Sequence, residues 1–193
     1  MQPRVQMSAI DVIASALEPV TSSLTRMSSP DGAVTLMLSD IADAPAAAEQ
    51  LGPERWEQII RDHHMLVERL LAGHDGQVLK FEGDGFLASF NSAHAGMHAA
   101  VDLQRTFAAG SSSLAIRVGL HSGFVMGNPE QLMGRNAVLA ARIAAQAKGG
   151  EILVSSSARE YTQSDPSLRF EERGEYYFKG LHGEHIVYSV LWR

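Results

Sequence analysis

Two carboxylates stand where a folded chain could put them to chemical use. Asp40 closes the apolar run VTLMLSD at 34–40, and Asp84 lies between two glycines in KFEGDGFLASF at 80–90. An aspartate between glycines is an ordinary turn residue, since Gly83 and Gly85 can supply positive φ and Asp84 can bond its own backbone. A mostly apolar strand ending in a carboxylate is instead the pattern of a buried strand whose end opens on a site. If that strand and the hairpin are neighbours, the carboxylates converge, and oxygen-only ligation selects Mg2+ or Mn2+ over zinc. Two such ions per site, about 3.5–4 Å apart, activate an attacking hydroxyl and neutralise leaving oxygens in phosphoryl chemistry.

The elements that must position these residues can be read from periodicity. SAIDVIASALE at 8–18 places Ile10, Ile13 and Leu17 at helical spacing behind a capping Ser8, and a Ser/Thr/Pro-rich stretch at 19–32 follows as a linker. This divides the chain into 1–32, a lead helix and linker, and 33–193, one domain. After the first strand, AAAEQLG and PERWEQIIRDHHMLVERLLAG read as helices, with Trp56, Ile60, Val67 and Leu70 on one face of the second. QVLKFEGDGFLASF alternates around its glycines as a β-hairpin, and SAHAGMHAAVDLQRTFAA has the small residues of a helix packed on a sheet. GSSS at 110–113 reads as a loop, SLAIRVGLHSGFVMG as a bent strand, NAVLAARIAAQAKGG as a helix with a glycine stop and EILVS as a short strand. A small helix near 156–162 and two closing strands complete an α+β order of β α α β β α β α β α β β behind the lead helix.

Composition excludes several function classes. At 193 residues, 45% apolar, the chain can bury its own core, and a net charge of −6 argues against a nucleic-acid surface. With no cysteine, neither a disulfide framework nor a thiolate zinc site can form. No apolar run is long enough to span a bilayer and the first residues do not pattern as a signal peptide, so a soluble, cytoplasmic protein without membrane insertion is expected. The histidines tempt a metal reading. His63 and His64 are adjacent and point to different helix faces, and His74 lies in a GHDG turn, so all three are expected to be structural or solvent-facing, and His121 a packing residue.

VTLMLSDI, KFEGDGF, RVGLHSG, GRNAVLAARI, GGEILVS and YYFKG occur in the order and at the separations of the class III nucleotidyl cyclase catalytic domain, the adenylate and guanylate cyclase family, which the chain resembles from about residue 33 to its C-terminus. GRNAVLAARI and the ending VYSVLW look most like an actinobacterial-type branch. The resemblance implies a ferredoxin-like βαββαβ core with extra C-terminal strands. It implies a head-to-tail homodimer with shared active sites that converts ATP or GTP to the 3′,5′-cyclic monophosphate and pyrophosphate. Carried over by position, Asp40 and Asp84 match the metal-binding aspartates and Lys80 the purine-reading residue. A lysine donates only, which suits a ring-nitrogen acceptor of adenine and favours ATP. Arg142 matches the arginine that stabilises charge on the α-phosphate, and Lys179 the lysine that binds the terminal phosphates.

Three positions depart from the family pattern. Gln131 stands at the second purine-reading position and can both donate and accept. The ribose-holding asparagine falls four residues before Arg142, where this chain has Val138. Asn136 takes that role only if the helix is shifted, since i and i+2 do not share a face. The loop ADAP after Asp40 brings the charge of Asp43 towards the phosphates and, at Pro45, lacks an N–H to donate. Two functions therefore stand open: a metal-dependent adenylate cyclase, and a cyclase-like domain with little turnover that binds nucleotide or dimerises.

Overall fold

A computed structural model describes residues 9–15, 33–110, 114–124 and 129–193. The linker at 19–32, Ser8, Leu17 and the tip of the GSSS loop lie outside the described residues. The elements are α1 (Ala9–Ser15), β1 (Ala33–Ile41), α2 (Ala44–Leu51), α3 (Pro53–Ala72), β2 (Gln77–Glu82), β3 (Gly85–Phe90), α4 (Ala93–Ala109), β4 (Ile116–Phe124), α5 (Pro129–Ala144), β5 (Ile152–Ser155), α6 (Ser156–Thr162), β6 (Phe170–Tyr176) and β7 (His185–Val190). This is the expected order, with one difference: α5 begins at Pro129, seven residues before Asn136. Pro129 suits a first turn because its missing N–H is one the helix could not use.

One seven-stranded sheet runs β2-β3-β1-β4-β5-β7-β6. Its first four strands pair antiparallel, as a ferredoxin-like βαββαβ unit requires, and β5 then joins β4 in parallel through α5. β6 and β7 extend the sheet as the extra C-terminal strands. The nine residues of β1 are all buried, because helices cover both of its faces.

The two faces hold different cores. On one, α3 and α4 pack Val67, Leu71, Met97 and Leu103 against Met37, Ile41, Phe86 and Phe90. On the other, α1 sets Ile10 and Ile13, fully buried, with Val34, Leu36, Leu38, Leu87 and the alanines of α5. The periodicity at Ile10 and Ile13 thus marks a helix docked on its own domain. α5 can lie close on β4 because Gly119 has no side chain: a Cβ there would fall 2.5 Å from the Cα of Ala144.

Candidate active site

Strand register decides which side chains meet. Lys80 stands opposite Leu87, Leu87 opposite Leu38, and Asp40 opposite Arg117. Directly opposed residues share a sheet face, as do residues two apart on a strand. Lys80, Asp40 and Arg117 therefore project from the face that α1 and α5 cover. β1 and β3 are adjacent, with Ser39 opposite Phe86, so the turn before Phe86 lies beside the end of β1. There the backbone N–H of Ile41 donates to Asp84 Oδ2 at 2.9 Å, which ties the second carboxylate to the residue that follows the first.

The two glycines of the turn have different tasks. Gly83 adopts φ 57°, as expected, whereas Gly85 is not left-handed. Gly85 is needed for space: a Cβ there would fall 2.6 Å from the side chain of Ala9 and 3.2 Å from the Ser39 carbonyl. The start of α1 thus closes directly on the hairpin.

Asp40, 1% exposed, does not stand alone. Arg117 grips it with two donors, Nε to Oδ1 at 2.5 Å and a terminal nitrogen to Oδ2 at 2.7 Å. Fork-to-fork geometry of this kind is among the strongest side-chain pairings. Asp40, Asp84 and Arg117 line a cavity of about 420 Å³ together with Asp43, Pro45 and Trp56. Burial pushes the Asp84 carboxyl above its ordinary pKa, the Ile41 N–H pulls it back, and the charge of Asp40 pushes it up again. A carboxylate whose ionisation is opposed by burial and by a neighbouring carboxylate is a donor suited to a divalent cation. Among the described residues no group of three or more His, Asp or Glu side chains could hold a metal.

The loop after Asp40 enters α2 through Asp43, which has φ 55° and makes no side-chain cap. Pro45 occupies the first turn. Both departures noted in the sequence thus face the same cavity as the carboxylates.

The remaining candidates fall elsewhere. Lys80 pairs with Glu82 two residues along, Nζ to Oε2 at 3.2 Å. Arg142 lies in the last turn of α5, four residues after Val138 and hence on its face. Val138 and Arg135 line a second cavity of about 300 Å³ with the Gly180–His182 turn, directly after exposed Lys179. Gln131 lies in α5, with its side chain outside what the structure describes. Asn136 is turned inward: Nδ2 donates to the Phe124 carbonyl at 3.1 Å and Oδ1 meets His121 Nε2 at 3.3 Å. It is not on the Arg142 face, because the earlier start of α5 leaves the register of 136, 138 and 142 unshifted. His121 also bonds Ser155 through Nδ1 at 2.9 Å, and burial holds its pKa down to about 4, so it is a neutral packing residue as expected. His74 pairs with Asp102 at 3.1 Å.

The histidine pair of α3 is closer to the site than its sequence suggested. His63 is buried, 3% exposed, and neither ring nitrogen has a hydrogen-bond partner. Such an orphaned polar group costs about 1–3 kcal/mol. His64 stacks on Phe81 with centroids 4.0 Å apart and donates from Nε2 to the Gly83 carbonyl at 2.9 Å.

The sheet and helices that bring these carboxylates together have counterparts among known proteins. The family model of the adenylate and guanylate cyclase catalytic domain matches residues 27–191. The chain belongs to this family. An uncharacterized Mycobacterium tuberculosis protein is 33% identical over 130 residues, 66% of this chain and 44% of that protein. A putative adenylate cyclase of Rhizobium meliloti is 31% identical over 144 residues, 72% of this chain and 23% of that protein. The cyclase domain thus spans less than half the length of either relative. Among solved structures, the adenylyl cyclase CyaB of P. aeruginosa superposes with TM-score 0.73 at 19% identity, over 82% of this chain and 93% of that one. A Trypanosoma brucei adenylate cyclase, solved in its monomeric state, gives 0.71 at 21% identity over 83% and 90%. At these identities the likeness is one of fold.

Within this cyclase domain, sequence reasoning passed over Arg117. Its signal was present: a lone charge in the otherwise apolar LAIRVGL, on a strand that must be buried. Glu82, the partner of Lys80, was likewise passed over.

Proposed function

We propose that this cyclase domain converts ATP to 3′,5′-cyclic AMP and pyrophosphate in the cytoplasm, at sites shared between two copies of the chain. The observation that carries the reading is the convergence of Asp40 and Asp84, tied through Ile41, on one cavity with Arg117. In the reaction the ribose 3′-oxygen bonds to the α-phosphorus, the bond from that phosphorus to the β-phosphate oxygen breaks, and the hydroxyl proton leaves to solvent. Mg2+ or Mn2+, two per site and held by Asp40 and Asp84, would lower the pKa of the hydroxyl and offset charge on the leaving pyrophosphate. Arg117 is within the cavity to meet the triphosphate.

The other subunit would contribute Arg142 to the α-phosphate charge, Lys179 to the terminal phosphates, and Lys80 with Gln131 to the adenine edge. The separation of the two cavities within one chain supports a shared site: the carboxylates line one, and the face of α5 carrying Val138 lines the other. A closed two-fold dimer with one interface gives two such sites.

A second reading has its own support. Asn136 is committed to Phe124 and His121, and Val138 occupies the face on which Arg142 lies. With Pro45 and Asp43 lining the cavity, these features favour a domain that binds nucleotide or dimerises with little turnover. One experiment separates the two. Purified protein is incubated with ATP or GTP and Mn2+ or Mg2+, and products are resolved by chromatography. Cyclic AMP that disappears in Asp40→Ala and Asp84→Ala supports the enzyme. Nucleotide binding without cyclic product supports the second reading, and a preference for GTP overturns the role of Lys80.

A further inference from the structure

We infer that His63 and His64 of α3 are positioning residues that hold the Gly83–Asp84 turn so that the Asp84 carboxylate is presented to metal. The inference rests on the proposed role of Asp84 as a metal ligand. Three observations carry it. His64 donates to the Gly83 carbonyl at 2.9 Å and stacks on Phe81, so it grips the hairpin immediately before Asp84. His63, the preceding residue, lies buried between Phe86 and Phe107, with ring centroids 6.2 and 5.3 Å away. The backbone of Asp84 lies close enough to act on the His63 ring, yet neither ring nitrogen reaches hydrogen-bond geometry.

A buried imidazole with both nitrogens orphaned is poor packing: phenylalanine would fill the same space without burying polar atoms. Polar groups that weaken a fold in this way concentrate where function needs them. On the β1 side the turn they face is held by the bond from Ile41 N–H to Asp84 Oδ2. A cation drawing Asp84 towards Asp40 would load that bond. The histidines oppose it from the α3 side, as outer partners of metal ligands do.

The test reads metal uptake and stability separately, without nucleotide. Mn2+ is titrated into the full chain and free ion is counted by electron paramagnetic resonance, while Tm is measured in EDTA. His63→Phe should leave Tm unchanged or raise it, yet weaken Mn2+ binding by about tenfold, the loss typical of an outer-shell change. His64→Phe keeps the stacking and loses the donor, and should weaken binding similarly. His64→Gln, which can still donate to Gly83, should recover part of it. Asp84→Asn is the control. If it abolishes uptake while His63→Phe and His64→Phe bind within about twofold of wild type, the inference is overturned and the role of Asp84 stands. If wild type takes up no Mn2+, or Asp84→Asn binds as wild type does, the metal reading itself fails and the inference falls with it. Should His63→Phe lower Tm, the two His64 variants decide: a loss in His64→Phe with recovery in His64→Gln upholds the inference, and no loss overturns it.

Discussion

Arg117 and Asp40 face each other across β4 and β1 and share two charge-assisted hydrogen bonds, at 2.5 and 2.7 Å, beneath a cavity that also holds Asp84. Both oxygens of the carboxylate proposed to hold metal are thus engaged by a guanidinium. A cation arriving at Asp40, as proposed above, would replace one positive partner by another and would free the arginine, in the same cavity, for an anionic triphosphate.

Arg117→Gln tests this exchange. Removing one partner of a buried pair leaves an uncompensated charge, a loss of about 3–5 kcal/mol. The variant should therefore have a lower Tm in EDTA, and Mn2+ should restore more of it than Mn2+ adds to wild type. Turnover of ATP should fall, since the triphosphate loses a contact. If Mn2+ shifts the Tm of both proteins equally, Arg117 and metal do not exchange on Asp40.

His121 makes stability depend on pH. Its pKa is lowered from 6.5 to about 4, first by burial, then by nearby His185, against the opposing bond to Asn136. The unfolded chain binds the proton below 6.5 and the folded chain does not until about 4, so stability falls as pH drops through that window. The loss approaches roughly 3 kcal/mol at its lower end. His121→Asn should flatten the fall of Tm between pH 7 and 4.5 relative to wild type. Parallel curves for the two proteins would show that His121 is charged when folded.

Much of the site was legible because it follows short-range rules. Alternation in QVLKFEGDGFLASF and the apolar run before Asp40 foretold the strands, and their adjacency is enough to bring Asp40 to Asp84. Arg117 was hidden because its meaning depends on which strand lies beside β1, and pairing across 77 residues leaves no local trace. The histidines were hidden for a similar reason: adjacency along α3 says which faces they take, not what packs there. Gly85 illustrates the opposite case, where the residue type was read correctly and its cause was not. Positive φ and close approach both demand glycine, and only the docked α1 distinguishes them.

Val138 offers a direct comparison of the two functional readings. It shares a face of α5 with Arg142, while Asn136 is spent on Phe124 and His121. Val138→Asn would place an amide at the ribose position and should raise kcat by roughly tenfold, through better orientation of the 3′-hydroxyl. Asn136→Ala should instead lower Tm with the ratio of kcat to KM nearly unchanged in the remaining folded protein. Loss of kcat in Asn136→Ala at unchanged Tm would return the ribose role to Asn136.

The proposal that two copies of the chain share each site makes the most demanding prediction. Asp84→Ala and Arg142→Ala should each be nearly inactive alone, since every site then lacks a metal ligand or the arginine for the α-phosphate. In a head-to-tail dimer each site takes Asp84 from one chain and Arg142 from the other. A mixed dimer therefore gathers both lesions into one site and leaves the second intact. With random exchange half the dimers are mixed and each has one good site of two, so activity should recover to roughly a quarter of wild type. Subunit exchange is verified independently by native mass spectrometry. Verified exchange without recovery would show that Asp84 and Arg142 serve the same site from the same chain, or no common site, and the dimeric mechanism would have to be abandoned.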